Sequence, residues 1–502
     1  MTNTTLDEGL AHQSGIRTIL QWLDEPLAPQ PVDEILALQA NLKALHTAEA
    51  TVQQRTRALD SLYQRSTAAI DRLIPMLIDV GLPVPAKTRR IVRKVLELLQ
   101  MLADDTLAMH DEAADRPATG DARLAPELGL WRSLNALAQE LMINHLTAST
   151  ARPGAWQQLH QIYATARRRQ LNAAIPKGMS SSLQKVYHAA ILLGCAQPAS
   201  LASREVIFLA AYFQHFADRL EPISAAAAVT PGTFWIDPAR DIPAVSCLRK
   251  LAPPMVSLDA FSCVRFTLLL KTQIAKLEAG TPPEQMKLPA FAGTPAGLGV
   301  LRRLASRWSD AGKRRFQRRR QNQRTVLTTG IDSLWQLCQT GEAEGLELST
   351  WMITNQSPDG YSVMHVAGKT GRLSVGDVAA VRTGSDQNWQ VCIVRWAVSE
   401  NPEHLELGLQ ILAPTAVPAI LARHSDAQRT EHLRVLILPQ IPMLRPSQLL
   451  VVASGALPKA HQKLVLVIEK GNLAVREVRS THIDEQTGSV EILSIEPDEN
   501  PF

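Results

Sequence analysis

The sequence is poor in the residues that usually announce chemistry. Its five cysteines, Cys195, Cys247, Cys263, Cys338 and Cys392, are widely scattered and form no CxxC pair. An odd, dispersed set argues against a disulfide framework and against a structural zinc site. Each is read as a small buried hydrophobe. There is no HExxH, and His160, His188 and His215 stand singly on helical patterns, so no metal is expected. No nucleophile–base pair is discernible, and no enzyme is expected. No stretch approaches the roughly 18 uninterrupted apolar residues of a membrane span. The opening MTNTTLDEGLAHQSG lacks the basic and apolar regions of a secretory signal. Together these absences point to a cytoplasmic location.

What remains is ordinary globular composition, 45% apolar and 20% charged, at a length that suggests roughly three domains. Residues 1–280 read as a helical domain, a scaffold or a partner-binding module. Ile35, Leu36, Leu38, Leu42 and Leu45 recur at helical spacing, and Ile91, Val92, Val95, Leu96, Leu98, Leu99 and Leu102 do so more strongly. Pro26, Pro29 and Pro31 precede the first of these helices, and Gly81-Leu82-Pro83-Val84-Pro85 precedes the second. Further helical runs cover roughly 125–147, 155–172, 180–196, 202–219 and 258–278, with Ser203 as an expected N-cap. One short strand is expected at Thr233–Ile236.

Residues 281–325 are expected to be a flexible linker. Thr281-Pro282-Pro283-Glu284 and the Ala290–Gly299 run AFAGTPAGLG have linker composition. The stretch Arg302–Arg324 then holds ten Lys or Arg against one acid, Asp310, while the whole chain nets only +4. The rest of the chain is therefore net negative, and the positive charge is gathered where an anion could sit. Leu301–Trp308 is helical in pattern; the Arg- and Gln-rich remainder shows no apolar periodicity.

From Val326 onward the period changes to that of strands. After a short helix at Ile331–Cys338, strand patterns occur at Leu346–Ile353, Tyr361–Val366, Val378–Arg382, Gln390–Trp396 and His404–Leu412. In the last, Leu405, Leu407, Leu409 and Ile411 alternate with polar residues or glycine. Turn signals at 374–377, 383–386 and 401–402 separate the runs. This spacing implies a small antiparallel barrel over 326–415. Strand-like runs at 434–439, 448–453, 463–469, 472–479 and 488–495 make 416–502 a β extension or a second β unit. Gly368-Lys369-Thr370 has the end of a phosphate-binding loop but lacks its first glycine, since Val363 stands there, and is read as a hairpin turn. Trp335, Trp351, Trp389 and Trp396 are read as barrel core or rim.

Two short motifs stand out against this background. Arg320-Gln-Asn-Gln-Arg324 is an RxxxR, and Asn355-Gln-Ser357-Pro-Asp-Gly360 follows as an NxSxxG. Arg314/Arg318 and Arg315/Arg319 satisfy the first motif as well. Arginine forks onto phosphate oxygens or guanine O6 and N7 and stacks on a base face. An Asn, a Ser hydroxyl and a close-approach glycine supply short polar groups on the other side. The pair of motifs, at the threshold of a small β-barrel, resembles the cyclic di-GMP-binding signature of PilZ domains, a resemblance that extends to Glu406-Leu407-Gly408-Leu409. It covers about 95 residues. It implies a PilZ-like antiparallel barrel with cyclic di-GMP held by Arg319, Arg320, Arg324, Asn355, Ser357 and Gly360. The implied function is an effector in which ligand clamps the Arg-rich linker onto the barrel and re-aims the helical domain toward a protein partner. The GGDEF and EAL signatures of dinucleotide synthesis and breakdown are absent. Two alternatives use the same residues: a nucleic-acid-binding protein built on the Arg-rich stretch, and a PilZ-like interaction scaffold without ligand.

Overall fold

The computed structural model describes residues 15–115, 126–253, 258–309, 316–383, 388–401, 404–424, 430–441, 445–457, 463–469 and 473–498. Asp310 to Arg315 of the basic stretch and the turn signals at 384–386 and Pro402 lie outside them. The chain forms an N-terminal helical domain followed by two closed six-stranded antiparallel barrels.

The helical domain comprises α1 (15–24), α2 (Pro31–Thr47), α3 (Val52–Leu77), α4 (Ala86–Asp115), α5 (Pro126–Leu146), α6 (Ala155–Arg168), α7 (Leu183–Cys195), α8 (Ser203–Phe216), α9 (Val264–Glu278) and α10 (Pro295–Ser309). Helical spacing decides which side chains are inside: Leu59, Leu62, Ile70, Leu73 and Leu77 of α3 meet Val95, Leu98, Leu99 and Leu102 of α4 in one core. A capping box starts α3, where the Thr51 hydroxyl accepts from the Gln54 N–H at 3.3 Å and the Gln54 side chain accepts from the Thr51 N–H at 3.0 Å. Ser203 is not the cap of α8. It is the first helical residue, its hydroxyl accepts from the Asp79 N–H at 3.0 Å, and Glu205 caps the Ala202 N–H at 3.1 Å. The 258–278 run divides into a strand and α9. That strand joins a small sheet of β1 (Glu221–Ile223), β2 (Thr233–Ile236), β3 (Val245–Ser246) and β4 (Asp259–Ser262), in the order β1-β4-β2-β3. Only β2 was legible from the sequence: β1 and β3 are too short to show a period, and β4 runs almost directly into α9 and reads as part of that helix.

The flexible linker expected over 281–325 is corrected by α10. Its Val300, Leu301, Leu304 and Trp308 are at most 2% exposed and belong to the helical core. The small residues that suggested flexibility serve close packing instead. A Cβ on Gly297 would lie 1.9 Å from the Phe291 carbonyl oxygen, and one on Gly299 2.2 Å from that of Gln486.

The first barrel contains β5 (Arg319–Thr329), β6 (Ser349–Ser357), β7 (Gly360–Gly368), β8 (Val378–Thr383), β9 (Gln390–Asn401) and β10 (His404–Ala413), closed in the order β10-β7-β6-β5-β8-β9, with α11 (Ile331–Thr340) between β5 and β6. The Arg- and Gln-rich end of the basic stretch is thus a strand. Arg319, Arg320 and Arg324 point to water, so no apolar alternation marked it. The second barrel contains β11 (Val417–His424), β12 (Thr430–Leu438), β13 (Gln448–Ala453), β14 (Lys463–Ile468), β15 (Ala474–Gln486) and β16 (Val490–Pro497), in the order β11-β12-β13-β16-β15-β14.

The barrels pack wall to wall, and this explains the continuous apolar runs of their facing strands. Ala379 and Val381 of β8 fill the first barrel, while Val378 and Ala380 join Val391, Ile393, Leu449, Val451, Val490 and Ile492 in a shared layer with Leu334 and Leu337 of α11. The helical domain meets the first barrel through backbone bonds from the Leu82 N–H to the Leu373 carbonyl at 2.9 Å and from the Ser399 N–H to the Ala148 carbonyl at 2.7 Å. Thr370, just beyond β7, donates to the Leu82 carbonyl at 2.6 Å.

Candidate functional site

Period-two alternation sorts the first barrel's side chains. Ile353, Tyr361, Val363, Leu407 and Leu409 point inward, so their neighbours face out. Register then builds a continuous row on the outer face: Arg320 opposes Asn355, Asn355 opposes Ser362, Ser362 opposes Gly408, and Gly408 opposes Trp396. The tip of the β6–β7 hairpin, Ser357 against Gly360, continues this face.

A cavity of about 370 Å³ opens on that surface. Arg318 and Phe316 wall it from the segment leading into β5, and Ser357, Asp359 and Gly360 wall it from the hairpin. Arg395, Trp396, Gly408 and Gln410 complete it from β9 and β10. Two glycines make the hollow. A Cβ on Gly360 would sit 2.2 Å from the Leu409 carbonyl oxygen, and one on Gly408 would sit 1.8 Å from Trp396 Nε1. The Trp396 ring therefore lies against bare backbone, half-buried, as a flat aromatic platform. A β-bulge skips Arg395: Gly408 pairs with Trp396 but Leu409 pairs with Val394. The unpaired residue is re-aimed toward the same face as Trp396, the usual effect of a bulge. The Ser357 hydroxyl donates to Asp359 Oδ1 at 2.6 Å, fixing the hairpin tip, and Arg318 Nη1 donates to Ser362 Oγ at 3.4 Å.

Of the residues singled out in the sequence, Ser357 and Gly360 line this cavity. Arg320 and Asn355 share its outer-face row without lining it, Arg319 opposes Gln356, and Arg324 lies further along β5 opposite Met352. The RxxxR register that reaches the cavity is the one ending at Arg318; its first member, Arg314, lies outside the described residues. Sequence reasoning missed Arg395, Phe316 and the role of Trp396. Only the Glu406-Leu407-Gly408 segment hinted at the platform, because a glycine alternating with core leucines leaves room on the outer face. Of the other tryptophans, Trp351 is core, Trp389 lies under Arg382 at 4.7 Å, and Trp335 donates to the Ala419 carbonyl at 2.9 Å.

The electrostatics extend beyond the cavity. Arg395 Nη1 donates to Glu485 Oε2 at 2.7 Å, and Arg303 Nη1 to Glu485 Oε1 at 3.0 Å. Arg303 also pairs with buried Glu205. Burial pushes the Glu485 carboxyl up, but Arg395 and Arg303 outweigh it and hold the group below the usual range. Burial, reinforced by the charge of Arg303, lowers Arg307 to about 10. A larger groove of about 730 Å³ lies among α5, α7 and α8, where Ala138, Ala189, Ala190, Ala210 and Ala211 form part of its wall. It lacks convergent arginines, so the barrel cavity is the better anion site. Among the described residues no group of three His, Cys, Asp or Glu is placed to hold a metal, and no helix is long and apolar enough to cross a membrane.

Comparison with known proteins matches two parts of the chain to family models: residues 17–226 to the N-terminal domain of the cyclic-di-GMP receptor FimW, and residues 336–418 to the middle PilZ domain of that receptor. The cyclic-di-GMP receptor FimW of Pseudomonas aeruginosa is 21% identical over 437 residues, spanning 71% of each chain. The match over 336–418 coincides with α11 and β6–β10, the elements that carry Ser357, Gly360, Trp396 and Gly408. Over residues 336–418, then, the chain carries the match to the PilZ-domain family.

Proposed function

We propose that the outer-face cavity binds cyclic di-GMP and that the chain is an effector of this dinucleotide rather than an enzyme. One observation carries the reading: an arginine (Arg318), a hydroxyl (Ser357), two bare glycines (Gly360 and Gly408) and an aromatic plane (Trp396) converge on a single hollow. Cyclic di-GMP offers two phosphates and two guanines. Arg318 is suited to a phosphate or a guanine edge, and Trp396 to stacking beneath a base. Arg320 and Asn355, on the same row, are within the strip a ligand larger than the hollow would cover. The similarity to a cyclic-di-GMP receptor supports the same ligand.

In this reading the signal is mechanical. Ligand phosphates neutralise the Arg-rich segment ahead of β5 and draw it onto the barrel, and the helical domain presents the consequence to a protein partner in the cytoplasm. Because α10 is already packed in the helical core, the described part of the basic stretch that would meet the ligand is Phe316 to Arg318, immediately ahead of β5. Exposed Arg319, Arg320 and Arg324 would serve the nucleic-acid alternative equally, so the test must separate the two. Calorimetric titration with cyclic di-GMP, with GTP and a single-stranded oligonucleotide as controls, is expected to give saturable binding of the dinucleotide alone. Arg318→Ala should weaken it roughly ten- to a hundredfold, the worth of about 1.5–3 kcal/mol for a charged hydrogen bond. Absence of dinucleotide heat, or oligonucleotide binding that falls steeply with salt, would overturn the proposal.

A further inference from the structure

Arg395 belongs to two places at once. It lines the cavity, and it is the first member of an ion-pair chain that crosses all three units of the fold. Its Nε donates to Gln410 Oε1 at 2.6 Å within the first barrel, and its Nη1 to Glu485 of the second barrel at 2.7 Å. Glu485 is shared with Arg303 of α10, which in turn holds Glu205 of α8 in the helical domain. The two carboxylates are 14% and 3% exposed, so water screens these pairs little.

The junction around them is tight. The β15–β16 turn, Thr487 to Ser489, wedges between α10 and the first barrel. Arg303 Nη1 also reaches the Gln486 carbonyl at 2.7 Å, and both Thr487 Oγ1 and Ser489 Oγ donate to the Gly376 carbonyl at 3.0 Å. Arg307 lies within the field of Arg303, Arg395, Glu205 and Glu485, so these side chains form one electrostatic cluster at the junction.

We propose that Arg395 is a switch residue: an anionic ligand in the cavity and Glu485 compete for its guanidinium, so that ligand binding loosens the hold of the first barrel on the end of β15 and the β15–β16 turn of the second barrel. The inference rests on the cavity being the dinucleotide site. Its physical basis is exclusive occupancy. The bulge gives Arg395 the freedom to aim either way, and a phosphate or a guanine edge would take the donors that Glu485 holds. Glu485, left with Arg303 alone, loses its tie to the first barrel. The second barrel is thereby a sensor of ligand although it does not line the cavity.

Competition of this kind has a signature that simple stabilisation lacks. Glu485→Gln removes the competitor, so cyclic di-GMP should bind about three- to tenfold more tightly, since the competent form no longer has to be drawn from a closed one. Arg395→Ala should weaken binding by about tenfold or more. In the double variant the gain from Glu485→Gln should vanish, whereas a general effect of removing one negative charge would persist. Hydrogen exchange on the unmodified full-length chain gives an independent reading: amides of 486–491 should exchange faster when the dinucleotide is added, and in Glu485→Gln they should be fast beforehand. If the unmodified chain binds no dinucleotide, the functional reading falls and this inference with it. If it binds but Glu485→Gln leaves affinity unchanged or lower, or exchange at 486–491 does not rise, this inference alone is overturned.

Discussion

Gly408→Ala tests the aromatic platform directly. The added Cβ would sit 1.8 Å from Trp396 Nε1, 2.2 Å from Cε2 and 2.3 Å from Cδ1, all on the pyrrole side of the ring. Ordinary contact requires about 3.4–4 Å, so the ring must withdraw by roughly 1.5–2 Å or swing off the strand. Over-packing of this size costs about 1–3 kcal/mol, and the loss of a base stacked on the ring costs about 1–3 kcal/mol more in binding. Affinity for cyclic di-GMP should therefore drop by about five- to 150-fold. Trp396→Ala should weaken binding by a similar amount without the clash. Because the clash needs both side chains, Gly408→Ala should cost little further stability or affinity in the Trp396→Ala background. Calorimetric titration and thermal denaturation of the four proteins measure both arms of this cycle. Equal affinity in Gly408→Ala and the unmodified chain would refute the stacking role, and strictly additive stability losses would refute the contact itself.

Three further outcomes follow from the same geometry. Arg324→Ala, which removes an exposed side chain opposite Met352 and away from the cavity, should leave dinucleotide affinity within about twofold, in contrast to Arg318→Ala; equal losses would restore the RxxxR register ending at Arg324. Leu301→Ala empties a fully buried position of α10 and should destabilise the helical domain by about 2–5 kcal/mol in denaturant unfolding, whereas a flexible linker would show no change. Burial pushes the Asp377 carboxyl up to about 6, against the hydrogen bond it accepts from the Ser374 N–H at 2.7 Å. The folded state thus holds the proton more tightly, so the stability this group contributes is present below about 3.8 and is lost as pH rises through about 6. Thermal melts across that range should show a smaller pH dependence for Asp377→Asn than for the unmodified chain.

Long-period features were legible from the sequence alone. The helical spacing of Val95, Leu98, Leu99 and Leu102 and the alternation of Leu405, Leu407 and Leu409 each record one buried face, so a single chain suffices to read them. The charge gathered in Arg302–Arg324 and the NxSxxG at Asn355–Gly360 identified the region and the class of ligand to be considered. Tertiary structure decided everything that depends on what lies opposite. Strand β5 carries arginine and glutamine outward and so has no apolar signature; its partners β6 and β8 make it a strand. Glycine and alanine in 290–299 read the same in a loose linker and in a tight helix contact, and only the nearby Phe291 and Gln486 carbonyls distinguish the two. The arginine that enters the cavity is chosen by where β5 begins, and Trp396 and Arg395 join it because a bulge turns two successive side chains to one face. Composition and period describe a residue's own surroundings along the chain, while register and bulges bring together residues dozens to hundreds of positions apart.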